Sequence, residues 1–347
     1  MNKTMLLALG AALLMGGCAQ DEPEPSSGEP AAAVICFDAP QADNLRGVPS
    51  EEEAPTRPTT TFNIRNFKIT AYSPNEWGQD TLVMDNTEVF RTGNNSWTYA
   101  PEEHWPDKPV DFYAVSPVEI SMNNNRWWIH LVDFNWDTWQ GDMDFLVAVR
   151  KNVTQTSGRL KLNFRHALAR ILVGIKTDLD PKKYEVRVAE VTLNGFAKSA
   201  RFIFPEFTTT MDQNVGDLFP FWTSWNTTAT VTALFSQPQE QGYLTVSAEP
   251  WATMPQGKYF IPIELERMHT QNLDYYEGTR LEVAYKVVDL QSGATVWPTA
   301  HTYRGDLWRQ DKSYGIGRIS LRDATPGHRW LPGHAYAYTV SLRLPAP

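Results

Sequence analysis

The run that decides the fold is Tyr336-Ala337-Tyr338-Thr339-Val340-Ser341-Leu342. Large apolar side chains alternate in it with small or polar ones, which is the pattern of a strand with one face on a core and one in water. Comparable runs occupy 67–72, 110–115, 170–176 and 281–287. No long stretch has the period of an amphipathic helix. The sequence therefore predicts an all-β chain built from β-sandwiches.

The composition narrows the class of protein. The chain has 347 residues, 42% of them hydrophobic, with 31 Lys or Arg against 40 Asp or Glu and a net charge of −9. It is too apolar and aromatic for a disordered chain. Binding to nucleic acid needs a basic patch to neutralise phosphates, and the acidic balance argues against such a partner.

The length predicts two tandem sandwiches. One sandwich of seven to nine strands commonly takes about 100–150 residues. The clearest boundary between two series of strands is the charged, Pro-containing segment 177–183. We therefore expect an N-terminal sandwich over 56–180 and a C-terminal sandwich over 181–347.

The N-terminus predicts export. Lys3 precedes an apolar run over 5–15, which is too short for a transmembrane helix. The next residues, Leu14-Met15-Gly16-Gly17-Cys18, resemble a bacterial lipobox. We expect residues 1–17 to be a signal peptide and Cys18 to carry the lipid, palmitate included, that anchors the chain in the outer membrane. The alternative is an ordinary secretory signal.

A lipidated acidic tether is expected over 18–55. Residues 19–55 hold nine acidic residues against one basic residue, Arg46. Such a stretch repels itself and stays extended. One apolar run interrupts it, Val34-Ile35-Cys36-Phe37, and this run has the pattern of a short strand.

The chain resembles a known family at several points that occur in family order. It is similar to fimbrillin-like surface lipoproteins of the type V pilus superfamily in the segments 110–117, 144–148, 162–171, 188–195, 259–262 and 330–338. Within 162–171, Phe164-Arg165-His166 resembles an F-x-H strand that ends the first domain. The segment 330–338 resembles a closing strand with the pattern W-x-P-G-x-x-Y-x-Y.

The resemblance implies transthyretin-like sandwich domains and assembly with other fimbrial subunits by strand addition. It makes Val34–Phe37 (Val34, Ile35, Cys36, Phe37) a removable first strand, released by an arginine-specific protease. Arg46 precedes Gly47 in the loop after this strand, whereas Arg57 precedes Pro58, a bond that such proteases generally reject. We expect cleavage at Arg46-Gly47. The alternative is that Arg46 is a solvated residue of a chain that is never processed.

The sequence offers no catalytic constellation and no cofactor motif, so we expect a protein that is not an enzyme. We expect His166 to be buried and hydrogen-bonded. Cys36 is expected to be a small core residue without a disulfide, because the only other cysteine is Cys18.

One segment imitates a calcium loop through Asp133, Asn135, Asp137 and Asp144. Its sixth position is Thr138 where Gly is wanted, and its last is Asp rather than Glu. We therefore expect no metal site.

The tryptophans support a rival function. Trp127, Trp128, Trp136 and Trp139 cluster in one stretch, and Trp222 lies near Trp225 in another. Large aromatic side chains usually fill space between sheets, but exposed ones can stack on sugars. The family resemblance implies a surface-exposed pilus subunit or accessory adhesin of the fimbrium, with a host protein or glycan as a further partner. The alternative is a surface glycan-binding lipoprotein that does not polymerise.

Overall fold

The computed structural model describes residues 33–38, 41–42, 46–47, 64–73, 81–92, 96–124, 130–155, 159–204, 218–226, 232–234, 242–252, 257–272, 275–302, 304–307 and 312–344. The expected signal peptide, Cys18 and residues 48–63 lie outside this set. Among the described residues, no helix combines the length and the apolar character needed to cross a membrane.

Short strands dominate the described chain. The first half contains Gln41–Ala42 (β1), Arg46–Gly47 (β2), Asn66–Ser73 (β3), Thr81–Arg91 (β4), Trp97–Thr98 (β5), Val110–Ser116 (β6), Asn123–Asn124 (β7), His130–Asn135 (β8), Leu146–Val153 (β9), Asn163–His166 (β10) and Ala169–Thr177 (β11). The second half contains Tyr184–Asn194 (β12), Ser199–Ile203 (β13), Trp222–Asn226 (β14), Thr232–Leu234 (β15), Leu244–Val246 (β16), Trp251–Ala252 (β17), Lys258–Phe260 (β18), His269–Asn272 (β19), Tyr275–Glu277 (β20), Arg280–Asp289 (β21), Thr295–Trp297 (β22), Gly315–Ser320 (β23) and His334–Leu342 (β24).

Helix is confined to single turns in the described residues. These are the α-helical turn Trp136–Trp139 and the 3₁₀ turns Phe219–Phe221, Arg304–Asp306 and Pro326–His328. Asn135 caps the first of these by accepting a hydrogen bond from the backbone N–H of Asp137 at 3.0 Å. Gln140 ends it in the left-handed conformation.

A seven-stranded sheet forms the centre of the N-terminal half, in the order β1-β10-β9-β6-β3-β4-β5. Strand β6 is buried on both faces. Phe112 and Ala114 face a smaller hydrophobic core, and Tyr113 and Val115 face a larger one. A nearly continuous apolar run is typical of a strand covered on both sides, so our expectation of one solvated face is wrong for this strand.

The larger core extends from this sheet into the C-terminal half. A four-stranded shared sheet, β14-β13-β8-β7, takes strands from both halves of the chain. Strands β8 and β13 are antiparallel, with Asp133 opposite Arg201. Phe134 of β8 and Phe202 of β13 are buried in the same core. The two halves are therefore joined by main-chain pairing as well as by side-chain packing.

Two further sheets form the C-terminal sandwich. One joins β12 and β21, flanked by β15, β16, β22 and β23, and the other joins β11 and β24, flanked by β17, β18 and β2. Strands β11 and β24 run parallel in a register from Arg170 opposite Ala335 to Thr177 opposite Leu342. The inward side chains of both sheets belong to the larger core.

The predicted all-β fold of tandem sandwich units is confirmed. Strand β10, which ends at His166, is the last strand in sequence that belongs to the N-terminal sheet. The next strand, β11, pairs with β24, the last strand of the described chain. We propose the division between the units at residues 167–168, upstream of the predicted boundary near 180.

Candidate functional site: the N-terminal strap and its groove

A short extended segment closes the smaller core. This strap, residues 33–38, lies between the segment around His104 and the segment around Leu160. Val34 bridges His104 in antiparallel orientation, and Phe37 bridges Leu160 in parallel orientation. The strap therefore lies between two bridging segments, and its inward side chains Ile35 and Phe37 belong to the smaller core on this face of the N-terminal sheet.

Main-chain hydrogen bonds hold the strap on both sides. On one side Ile35 donates to the carbonyl of Glu103 at 2.9 Å, and Trp105 donates to the carbonyl of Ala33 at 2.9 Å. On the other side Leu160 donates to the carbonyl of Cys36 at 2.6 Å, and Asp38 donates to the carbonyl of Leu160 at 2.9 Å. Removal of the strap would leave the groups on both walls without these partners.

The strap side chains alternate as those of a strand do. Ile35 and Phe37 are completely or almost completely buried, at 0% and 1% exposure, whereas Val34 and Cys36 are half-buried. The Phe37 ring makes edge contacts with Phe67 at 5.7 Å and with Tyr99 at 5.5 Å between ring centroids. Aromatic pairs favour this geometry. Phe37 therefore fills a pocket that is lined by aromatic rings.

Tyr99 links the strap to its wall through a polar contact. Its hydroxyl donates to the Ile35 carbonyl at 2.7 Å and lies 3.2 Å from the Glu103 carbonyl. Burial raises the pKa of Tyr99 to about 12, so the hydroxyl keeps its proton at neutral pH.

The chain then leaves the groove and reaches the C-terminal sandwich. In β1, Gln41 pairs with Asn163 and Ala42 pairs with Phe164. In β2, Arg46 pairs with His334 and Gly47 pairs with Ala335 of β24. We expected Arg46-Gly47 to lie in a flexible loop. In the structure this bond is part of a paired strand, because the chain crosses from one sandwich to the other at this point.

Cys36 differs from its prediction, because it is disulfide-bonded in the structure. Its partner lies outside the described residues. The prediction that Cys36 forms no disulfide is therefore wrong, although the side chain lies on the strap as expected. The predicted lipidation of Cys18 stays a prediction.

The predicted ligand-contacting tryptophans do not form an exposed cluster in the described part of the chain. Trp136 is 4% exposed, stacks on Phe260 at 5.5 Å and donates its indole N–H to the Tyr259 carbonyl at 3.0 Å. Trp139 is half-buried against the larger core. Trp127 and Trp128 lie outside the described residues. Trp136 is thus a core residue, and its burial gives no support to the predicted contact with a ligand.

The segment that imitates a calcium loop does not gather its oxygen atoms. Each side chain has a different partner: Asp133 contacts Arg201 and Asn123, Asn135 caps Asp137, Asp137 pairs with Lys198, and Asp144 contacts His166. No group of three or more His, Cys, Asp or Glu side chains that could hold a metal occurs in the described part of the chain.

His166 is buried and contacts the carboxylate of Asp144 through Nδ1, as predicted for a buried, hydrogen-bonded histidine. Asp144 also accepts a hydrogen bond from the backbone N–H of Phe145 at 2.8 Å. This pair lies where the N-terminal sheet ends and β11 begins, so it stabilises the junction rather than a solvent-accessible reaction site.

Sequence reasoning missed the walls of the groove. Tyr99, Trp105 and Leu160 hold the strap, but each is distant from it in sequence. Trp105 and Leu160 meet it through main-chain hydrogen bonds, and Tyr99 through its hydroxyl and its ring. Only the strap itself carried a signal, as an apolar run inside an acidic segment.

Comparison with known proteins identifies the family of the chain. The family model described as fimbrillin-like matches residues 56–297. No curated protein matches the sequence.

Several solved structures resemble the chain at low sequence identity, and the first of them shares its fold. A fimbrial protein from Bacteroides vulgatus is 16% identical with a TM-score of 0.50, covering 89% of this chain and 95% of its own. A candidate cell adhesion protein from Bacteroides uniformis is 14% identical with a TM-score of 0.45, covering 90% of this chain and 93% of its own. A candidate cell adhesion protein from Bacteroides ovatus is 13% identical with a TM-score of 0.44, covering 91% and 94%. Because the family model spans well over half of the sequence, the chain belongs to the fimbrillin-like family.

Proposed function

We propose that this chain is a non-enzymatic surface lipoprotein that serves as a fimbrial subunit or accessory adhesin, and that it joins other subunits by strand exchange. Membership of the fimbrillin-like family and the fold shared with a fimbrial protein support the general role. The observation that carries the exchange step is the strap, a short strand seated in a groove that two distant wall segments complete.

The groove has the properties that strand replacement requires. Without the strap, both walls expose unpaired main-chain groups, and the sockets of Ile35 and Phe37 open to water. Full burial of such side chains contributes about 1.5–3 kcal/mol each. A strand from another subunit with apolar residues at alternate positions would recover both contributions.

The fold also separates the groove from the rest of the hydrophobic interior. Phe112 and Leu146 line the smaller core under the strap, whereas their neighbours Tyr113 and Val147 face the larger core on the opposite side of the sheet. Loss of the strap opens the smaller core alone. The larger core, closed by the shared sheet and the C-terminal sandwich, supports the N-terminal sheet while the groove is empty.

The proposed cleavage site fits this arrangement. Arg46-Gly47 follows the strap in sequence, so one cut there separates the strap from the body of the chain. Arg46 and Gly47 are paired with β24, and a protease needs an extended, unpaired substrate. Cleavage therefore requires β2 to leave the edge of β24.

We further propose that Cys18 carries the lipid in the membrane-bound form, in which its sulfur is not available for a disulfide with Cys36, and that the acidic tether holds the subunit at the outer membrane surface before cleavage. The sequence pattern alone supports this anchor. In this position the strap lies between the anchor and the cut, so cleavage would remove the covalent link to the membrane, and the body would leave the anchor only when the strap leaves its groove.

The test is surface display in a host that supplies the arginine-specific protease. We expect SDS-resistant ladders and a mature chain beginning at Gly47, and we expect both to disappear in Arg46→Ala. Arg57→Ala is the matched control and should leave both unchanged. A mature chain that still begins at Cys18, with no ladder, would refute processing and polymerisation. The role of accessory adhesin would remain compatible with that result.

A glycan-binding role is the second candidate. Trp136 gives it no support, since its ring is buried. One other tryptophan, Trp225, is exposed and supports a different location for such a site.

A further inference from the structure

A partly exposed aromatic patch lies on the C-terminal half, outside the smaller core that the strap closes. This patch consists of Phe219, Pro220, Trp225 and Arg329. Phe219 lies in the 3₁₀ turn that precedes the shared sheet's outer strand, β14, and Trp225 lies within that strand. Arg329 comes directly after the last 3₁₀ turn. None of the four lines the smaller core, so the patch is separate from the groove in which strand exchange would occur.

Trp225 presents an apolar face whose orientation is fixed. It is 39% exposed, and its indole N–H donates to the Pro262 carbonyl at 3.0 Å. Because the only donor of the side chain already has a partner, the exposed part of the ring can offer only an apolar surface.

Phe219 and Arg329 extend this face and add a charge. The Phe219 ring lies 5.9 Å from that of Trp225 and is tilted by 31°. The Arg329 guanidinium lies 5.7 Å from the Phe219 centroid on its face. Arg329 is exposed and has no ion pair or side-chain hydrogen bond within the described part of the chain. Its five donors are therefore available beside the Phe219 ring, which in turn contacts Trp225.

We propose that the aromatic patch binds a carboxylate-bearing sugar, as found in sialylated or uronic-acid glycans. A sugar ring has an apolar face of C–H groups, which matches the flat face of Trp225, and a polar edge. A carboxylate on that edge can form a two-pronged contact with the Arg329 guanidinium. An acidic peptide would satisfy the charge but has no rigid, flat apolar face for the two rings.

The test is titration of the purified full chain with glycans, in which binding is measured by calorimetry and by tryptophan fluorescence. The probes are 3′-sialyllactose against lactose, and a hyaluronan tetrasaccharide against an N-acetylglucosamine tetrasaccharide. We expect at least one acidic glycan to bind at least tenfold more tightly than its neutral counterpart. The pair that shows the difference identifies the acidic sugar.

Two variants locate the site. Trp225→Ala should abolish binding. Arg329→Gln should lower the affinity for the acidic glycan at least tenfold and so remove the preference for it over the neutral glycan. Arg329 is exposed, so its replacement leaves the fold intact even if Trp225→Ala disturbs it. Phe90→Ala removes another exposed aromatic ring, 42% exposed on β4, and should change nothing.

Three outcomes would overturn the proposal. These are no binding of any acidic probe at millimolar concentration, equal affinity for acidic and neutral glycans, and equal affinity of wild type and Arg329→Gln. A short poly-glutamate peptide is included as a fifth probe. Its binding with the affinity of the best glycan, lost in Arg329→Gln, would assign the patch to acidic peptides instead.

Discussion

The hydroxyl of Tyr99 donates a hydrogen bond to the main-chain carbonyl of Ile35 at 2.7 Å, in the buried layer between the strap and its wall. This bond joins two residues 64 positions apart. It adds to the main-chain hydrogen bonds that Glu103 and Trp105 form on the same side of the strap, and it fixes how deeply Ile35 lies in the groove.

Replacement of Tyr99 by Phe should loosen the strap. The Ile35 carbonyl would lose its partner in a buried position, which costs about 1–3 kcal/mol. We expect a comparable decrease in the free energy of unfolding and faster amide exchange at Ile35 and Trp105. Tyr72→Phe, on the opposite side of the N-terminal sheet, should leave exchange in the strap unchanged.

The same hydroxyl makes the strap sensitive to alkaline pH. The pKa of Tyr99 rises from 10.0 to about 12 in the folded chain, because burial disfavours the phenolate. A raised pKa means that this contribution to stability is complete below pH 10 and is lost as the pH rises towards 12. Absorbance titration at the phenolate band should show one high-pH tyrosine fewer in Tyr99→Phe. An unchanged titration curve would contradict this assignment.

The strap side chains should differ in importance according to burial. Phe37→Ala leaves a cavity among Phe67, Tyr99 and the rest of the smaller core, and should cost about 3–5 kcal/mol in urea unfolding. Val34→Ala is the control, because Val34 is half-buried, and it should cost less than about 1 kcal/mol. Equal effects of the two substitutions would mean that the strap does not seal the core.

How far the sequence predicts this fold depends on the kind of pattern involved. The strap was predictable because Ile35 and Phe37 stand out in an acidic stretch. Burial of β6 on both faces was also readable, since Phe112 to Val115 form a continuous apolar run, a pattern that differs from strict alternation. The partners of the strap were not predictable, because a single bridging residue such as Leu160 leaves no local pattern.

The tryptophans show why the candidate site was predicted less well. Trp136 and Trp225 are alike in sequence terms, each in a polar stretch with another tryptophan nearby. Their exposures of 4% and 39% are set by whether Phe260 and Phe196, distant in sequence, cover the ring. Composition and spacing carry no information about which distant side chains pack over a tryptophan ring.

Cleavage after Arg46 should not by itself release the strap. The main-chain bonds to Glu103 and Leu160 and the burial of Phe37 are all retained when the chain is cut on the C-terminal side of the strap. We expect the cut peptide to co-elute with the body in native gel filtration, and to separate from it in the Phe37→Ala variant. Immediate loss of the wild-type peptide would show that the covalent link, rather than the groove, retains the strap.

The two cysteines should be separable by function. A lipid thioether on Cys18 and a disulfide within the chain would compete for the same sulfur, because Cys36 is the only other cysteine. We expect Cys18→Ser to move the protein from the membrane fraction to the soluble fraction, and Cys36→Ser to leave it anchored. Mass analysis of the mature N-terminal peptide checks the result. Retention of Cys18→Ser in the membrane would contradict lipidation.

The buried contact between Asp144 and His166 should contribute strongly to stability at the junction. Both residues are almost fully buried, and removing one partner of a buried hydrogen bond leaves the other unsatisfied, at a cost of about 1–3 kcal/mol. Asp144→Asn should therefore lower the free energy of unfolding substantially. Asp137→Asn is the control from the same segment, since its pair with Lys198 is exposed and worth about 0–1 kcal/mol.

A second readout separates charge from shape at this junction. Burial raises the pKa of Tyr259, and the negative charge of Asp144 raises it further. Asp144→Asn keeps the size of the side chain but removes its charge, so the pKa of Tyr259 should fall while burial still holds it above 10. Asp137→Asn should not move it. If both variants left the phenolate titration unchanged, Asp144 would not be the charge that Tyr259 senses, and any loss of stability would have to come from the hydrogen bonds to His166 and Phe145 alone.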